Sequence, residues 1–202
     1  MGSQWGKDRT YLRAVREGYR SRAAYKLLEI QDRYHLIRDD DNVLDLGAAP
    51  GSWLQVARSL TDGKVVGIDL SPIAPLEGVT TLIADLTNQG LRQEVRTLLG
   101  TVNVVISDAA PKLSGYRSYD QARVIGLGEE ILAFACEVLK PGGNLLMKSF
   151  QGEDFSTLLG DVRQYFLSVK TMRSRASRKG SSEIYIIARN FVGCRSETEG
   201  SL

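Results

Sequence analysis

Four aspartates and one lysine sit where a strand or turn has little structural use for charge. Asp45 lies inside the apolar run Val43-Leu44-Asp45-Leu46, and Asp69, Asp85 and Asp108 stand at or near the ends of the runs KVVGIDL, TTLIADL and VNVVISD. Lys148 interrupts the apolar run NLLMKSF, where an idle ammonium is costly to bury. A carboxylate at the end of a strand accepts hydrogen bonds from ribose hydroxyls or from an adenine amine. One aspartate in such a place more often caps a turn. Three on successive strands, beside the small-residue loop Gly47-Ala48-Ala49-Pro50-Gly51, point to a ligand of the adenosine type. Asp69 follows Asp45 by about one strand–helix–strand unit, a separation that suits a ribose partner. The loop is neither of the two common phosphate cradles. Those require G-x-G-x-x-G or G-x-x-x-x-G-K-[ST], whereas the spacing here is G-x-x-x-G with no lysine.

Positioning these residues requires strands that alternate with helices. Val43 to Leu46 reads as a short buried strand, and Ser52 to Leu60 follows with helical spacing. Further strands are expected at Lys64–Leu70, Thr80–Leu86, Val102–Asp108 and Asn144–Phe150. Helices are expected at Leu91–Leu99, Tyr119–Leu139 and Phe155–Tyr165, the second stopped by Lys140-Pro141-Gly142-Gly143. Two closing strands, Ser168–Arg173 and Ile184–Phe191, flank a basic loop around Ser177-Arg178-Lys179-Gly180. This alternation predicts an α/β doubly wound parallel sheet with right-handed crossovers and an antiparallel edge hairpin. Residues 9 to 34 read as helix broken near Gly18, with Ser21 as the expected N-cap of the second piece. There is no internal repeat or linker, so residues 1–202 are expected to form one domain, with a basic helical segment at 1–35 and a frayed polar tail at 192–202.

Composition excludes several classes. A hydrophobic content of 43% with 25% charged residues describes an ordinary globular chain, and no apolar run approaches the ~18 residues of a membrane span. The stretch MGSQWGKDRT has no apolar core of a secretory signal, and two distant cysteines, Cys136 and Cys194, suit a reducing cytoplasm. With His35 as the single histidine, expected at the solvent edge, no His-based metal site is expected. The net charge of +2 says little, but its distribution says more. Arg9, Arg13, Arg16, Arg20, Arg22 and Lys26 crowd the N-terminal segment, and Lys170, Arg173, Arg175, Arg178 and Lys179 crowd the closing hairpin. Each cluster reads either as a solvated face or as a phosphate-contacting rim.

The G-x-x-x-G loop with Asp45 in the preceding strand resembles the first motif of S-adenosylmethionine (SAM) methyltransferases. Four more segments narrow the resemblance. The helix Arg20-Ser21-Arg22-Ala23-Ala24-Tyr25-Lys26-Leu27, the loop Asp45 to Trp53, Ser107-Asp108-Ala109-Ala110-Pro111, Met147-Lys148-Ser149-Phe150 and the hairpin from Ala176 to Tyr185 are similar to those of the FtsJ/RrmJ ribose 2′-O-methyltransferases. The resemblance spans roughly residues 8 to 191. It implies a Rossmann-like methyltransferase fold with a seven-stranded, mostly parallel sheet and a closing antiparallel hairpin. It also implies a catalytic tetrad of Lys26, Asp108, Lys148 and Glu183, and a SAM pocket lined by Gly51, Trp53, Asp69, Asp85 and Asp108, with no metal. The chain departs from the family twice: Ser52 stands where a second glycine is usual, and Arg173-Ser174 where a lysine-proline pair is usual.

The chemistry needs such residues. A 2′-hydroxyl is a poor nucleophile until its proton is drawn away. Burial and the second ammonium of Lys26 favour a neutral Lys148 amine that takes the proton, whereas Asp108 and Glu183 favour an ammonium that orients the developing alkoxide. Amine methylation usually brings an Asp/Asn-Pro-Pro-aromatic segment after strand four, and Ala109-Ala110-Pro111 is not one. Base C5 methylation needs a nearby cysteine, and neither cysteine fits. The expected partner is RNA, with a large-subunit ribosomal RNA uridine as first substrate, a transfer-RNA anticodon loop as runner-up, and a small molecule or protein as a second class. A turnover-dead RNA-binding factor is a third class, disfavoured by the intact tetrad. The protein is expected to be monomeric and cytoplasmic, with no membrane contact.

Overall fold

In the computed structural model the described residues are 9–111, 114–178 and 180–193, with the backbone alone for 9–11, 117 and 118. The expected tail lies outside them from residue 194 on, as do Cys194, Lys179, Lys112 and the first eight residues of the basic segment. The elements run α1 (Arg9–Arg16), α2 (Ala24–Tyr34), β1 (Val43–Leu46), α3 (Ser52–Leu60), β2 (Val65–Asp69), β3 (Val79–Ile83), α4 (Leu91–Leu99), β4 (Val102–Ser107), α5 (Arg117–Val138), β5 (Leu139–Phe150), α6 (Phe155–Tyr165), β6 (Phe166–Met172) and β7 (Glu183–Phe191). Seven strands form one sheet in the order β3-β2-β1-β4-β5-β7-β6. The first five are parallel, and β7 runs antiparallel to both β5 and β6.

The period-2 alternation of side chains divides the core between the two faces of this sheet. Leu44, Leu46, Val66, Ile68, Val105, Leu145, Met147 and Ile186 pack with α4, α5 and α6 through Leu91, Val95, Phe134, Leu158 and Val162. Val43, Val65, Val104, Ile106, Leu146, Tyr185 and Ile187 pack with α2 and α3 through Leu27, Ile30, Trp53, Leu54 and Val56. Strands buried on both faces lose the polar alternation of a solvated sheet, so they read as continuous apolar runs. A charge on one of them is correspondingly conspicuous.

The same alternation places the chemistry. Counting by two from the α2–α3 face, Ile106 leads to Asp108, Leu146 to Lys148, and Ile187 to Tyr185 and Glu183. The ladder sets Lys148 opposite Tyr185 and Phe150 opposite Glu183. A slip of one residue would throw the whole set to the other face.

Three local expectations differ from the structure. Ser21 does not cap α2, which starts at Ala24 with Ala23 in helical conformation and no side-chain cap. Its hydroxyl instead accepts from Ala23 N at 3.2 Å and pairs with Ser52 Oγ at 2.8 Å. β5 begins at Leu139, not Asn144, because Leu139 pairs with Val102 before the Lys140–Gly143 segment bulges and the ladder resumes at Asn144. β3 ends at Ile83, so Asp85 stands two residues beyond the strand and not within it.

Candidate active site

β4, β5, β7 and α2 bring the four titratable residues together. Lys148 Nζ lies 3.1 Å from Asp108 Oδ1 and also donates to the Asp108 backbone carbonyl. Lys26 Nζ lies 2.5 Å from Glu183 Oε1 and 3.7 Å from Asp108 Oδ1. Two ammonium groups therefore face two carboxylates, and the formal charges cancel. All four side chains are less than one fifth exposed, so water screens these contacts little.

Tyr185 is the residue that sequence reasoning missed. It is fully buried, and its hydroxyl lies 2.7 Å from Asp108 Oδ1 and 2.6 Å from Glu183 Oε1, sharing one proton between them. Burial first, then the negative charges of Asp108 and Glu183, push its phenol far above the ordinary value, so it remains a donor. The Lys26 ammonium sits 5.7 Å from the centre of its ring. A signal was present: Tyr185 is two residues from Glu183 on one strand and so must share its face. Ser177 adds a third donor to Glu183 at 3.0 Å. Burial opposes the Glu183 charge most strongly, but hydrogen bonds from Lys26 and Tyr185 outweigh it and hold the carboxyl below its usual value.

Beside this cluster a cleft of about 930 Å³ opens at the carboxyl ends of the strands. That is at the upper end of small-molecule sites, roughly 300–1,000 Å³. Its lining includes Gly47, Asp69, Asp85, Asp108, Arg123 and Lys148. Asp69 also shapes the loop, accepting from Ala49 N at 3.0 Å and Ser71 N at 2.8 Å. Asp85 Oδ1 accepts from the Thr87 amide and hydroxyl, and these bonds keep its carboxyl ionised below the ordinary value. Gly47, at φ 73°, approaches β4 so closely that a Cβ would meet Ala109 Cβ at 2.4 Å. The donor set suits a nucleoside with a cationic neighbour: carboxylates for hydroxyls and an amine, with the Asp108 and Lys148 pair at one end.

Gly51 and Trp53 are not brought into this lining. Trp53 is buried on α3, where its Nε1 donates to Ala23 O at 2.8 Å and its ring lies 6.0 Å from that of Tyr185. Gly51, at φ 101°, makes room for Arg20, since a Cβ there would meet Arg20 Nη1 at 2.5 Å. Arg20 in turn is a brace: Nη1 donates to Pro50 O and Nη2 to Pro75 O, each at 2.9 Å. Asp45 lies on β1 with both oxygens buried and without a partner among the described residues. Burial, then the charges of Asp108 and Asp69, raise its carboxyl well above the usual value, so it holds its proton.

Comparison with known proteins agrees with this geometry. Residues 19–191 match the FtsJ-like methyltransferase family. The chain is 63% identical over its whole length, and the relative's, to a ribosomal RNA large subunit methyltransferase E of Methanoculleus marisnigri. It is 59% identical to one of the same name from Methanosphaerula palustris, again over the full length of both. Among solved structures, a ribosomal RNA methyltransferase from Plasmodium falciparum superposes with a TM-score of 0.79 at 26% identity, covering 87% of this chain and 100% of the other. A seven-stranded sheet with an antiparallel closing hairpin, a lysine–aspartate–lysine–glutamate cluster beside a nucleoside-sized cleft, and a match over residues 19–191 lead to one statement: the chain belongs to the FtsJ-like methyltransferase family.

Proposed function

We propose that the protein methylates the 2′-hydroxyl of a uridine in large-subunit ribosomal RNA, using SAM. The observation that carries this reading is the arrangement of acceptors around Lys148. Its amine faces two oxygens of Asp108, the side-chain Oδ1 and the backbone carbonyl. A neutral amine has two N–H groups and one lone pair. Spending both N–H groups on Asp108 leaves the lone pair for the hydroxyl proton. Once that proton is taken, the third N–H of the ammonium faces the new alkoxide and stabilises it. Lys26 keeps Glu183 and Asp108 ionised, and Tyr185 fixes the spacing between the two carboxylates.

Asp69 and Asp85 would hold the ribose and adenine ends of SAM, with Asp108 closing the pocket at the reacting end. Bound there, SAM supplies an electrophilic methyl group on sulfur. The ribosomal substrate rests on the names of the full-length relatives, and the hydroxyl acceptor on the lysine within the cleft.

The test is transfer of radiolabelled methyl from SAM to ribosomal RNA, followed by nuclease digestion and mapping of the nucleoside. A 2′-O-methyluridine in large-subunit RNA is expected. Lys148→Ala should lose at least ~10²-fold in rate, the usual share of a general base, while still binding SAM. Label on a base, in a transfer-RNA anticodon loop or on protein would overturn the substrate, and full activity of Lys148→Ala would remove that residue from the mechanism.

A further inference from the structure

A second cavity, of about 470 Å³, is bounded by Arg22, Arg178, Gly180, Ser181 and Glu183. It shares no lining residue with the larger cleft. The tetrad stands between the two. Asp108 and Lys148 line the larger cleft, Glu183 lines the smaller cavity, and Lys26 reaches from Asp108 to Glu183. A methyl acceptor must reach Lys148 from a side that the methyl donor does not fill, and this cavity lies across the tetrad from the donor cleft.

We propose that the cavity is a phosphodiester seat, in which Arg22 and Arg178 grip the backbone phosphate next to the acceptor ribose. This rests on the RNA 2′-O-methylation reading above and adds where, and by which groups, the substrate strand is held. Arginine forks match phosphate oxygens in bidentate geometry. The two come from distant parts of the chain, Arg22 from the turn before α2 and Arg178 from the loop between β6 and β7. Glu183 does not oppose an anion here. Its charge is matched by Lys26 at 2.5 Å, and it accepts from Tyr185 and Ser177, so the two guanidiniums set the sign of the cavity.

The walls are fixed before any ligand arrives. Glu29 on α2 accepts from Ser174 Oγ at 2.7 Å and Arg175 N at 2.8 Å, fastening the hairpin to the helix. The loop closes on itself through Ser181 N to Arg178 O at 3.0 Å, with Gly180 at φ 82°. A seat whose walls are already placed spends little binding energy on ordering itself. Phosphate contacts carry no base sequence, so this seat sets register and leaves the choice of nucleotide to other contacts.

The test uses the full chain and a fluorescent oligouridylate, with affinity measured across a range of salt. SAM affinity is measured separately by calorimetry. Arg22→Ala and Arg178→Ala should each weaken RNA binding roughly tenfold and flatten the slope of log affinity against log salt by about 0.7, the loss of one phosphate contact on a single strand. SAM affinity should not change. Lys140→Ala, an exposed cation at the start of β5, should leave the slope as it is. Arg178 is exposed, so its variant decides the matter even if Arg22→Ala folds poorly. Wild-type binding with a steep salt slope that both arginine variants keep would overturn the seat and leave the methylation reading standing. A wild-type protein that neither binds nor methylates RNA would bring down that reading, and the seat with it.

Discussion

Replacing Lys26 by methionine keeps the length of the side chain and removes its charge from a site where it is 8% exposed. Glu183, 11% exposed, then loses its nearest cation and keeps only Tyr185 and Ser177 as donors. Breaking a buried pair by removing one partner costs about 3–5 kcal/mol, because the other charge is left uncompensated. Two remaining donors place Lys26→Met near the lower figure, about 3 kcal/mol. With a urea slope of about 2 kcal/mol per molar, the unfolding midpoint should fall by about 1.5 M. The cost also has a pH signature. In the wild type, Glu183 is held below its ordinary value of 4.5, so its contribution is present above 4.5 and lost as pH falls through the lowered value. Without Lys26 the opposing effect of burial prevails and the sign reverses: protonated Glu183 becomes the favoured form, and the variant regains stability on acidification. The gap between the two proteins should therefore be widest at neutral pH and narrow in acid. Lys26→Met combined with Glu183→Gln should recover most of the loss. A deficit that stays constant from neutral to acid pH, or a double variant no better than the single, would refute the claim that an unpaired carboxylate is the cause.

Asp85→Asn should weaken SAM binding about tenfold or more, the loss of one charge-assisted bond, as read by calorimetry; unchanged affinity would remove Asp85 from the cofactor site. Asp45→Asn should raise stability at neutral pH. The folded-state value of Asp45 is raised, so its contribution is full below the ordinary 3.8 and is lost as pH climbs toward the raised value, a loss the amide cannot suffer. Urea midpoints for wild type and Asp45→Asn that run parallel with pH would contradict this. Ser52→Gly and Ser174→Ala should each cost about 1–2 kcal/mol in thermal or urea unfolding, since each deletes a hydroxyl that fastens the α2 region to the rest of the protein.

Residues on strands were the legible part of the site. Lys148 and Asp108 follow apolar runs whose faces can be counted by twos, and Glu183 follows from the same count on β7. What could not be read depends on contacts made across the chain. Trp53 stands two residues past the loop glycine, but the turn of α3 carries it away from the cleft to the carbonyl of Ala23, thirty residues earlier. Arg20 sits in a basic cluster, yet its partners are the backbone oxygens of Pro50 and Pro75, which present no charge to recognise. Ser21 has the composition of a helix cap and is instead drawn to Ser52. The start of β5 was hidden because Pro141 and Gly142 signal a stop, while a bulge lets the ladder pass through them. Local signals fix where a strand must break only when no neighbouring strand offers it a partner.

The position of β7 between β5 and β6 has a consequence for how the enzyme is made. Every residue lining the donor cleft lies at or before Lys148, and the rest of the chemistry arrives with β7 and the loop ahead of it. As the ribosome delivers the chain, α6 and β6 emerge while the outer edge of β5 still has no neighbour. β7 must then insert between two strands already synthesised, in the single register that sets Tyr185 opposite Lys148. Competence is thus withheld until the final strand locks, and a nascent chain with a finished nucleoside cleft remains inert toward RNA.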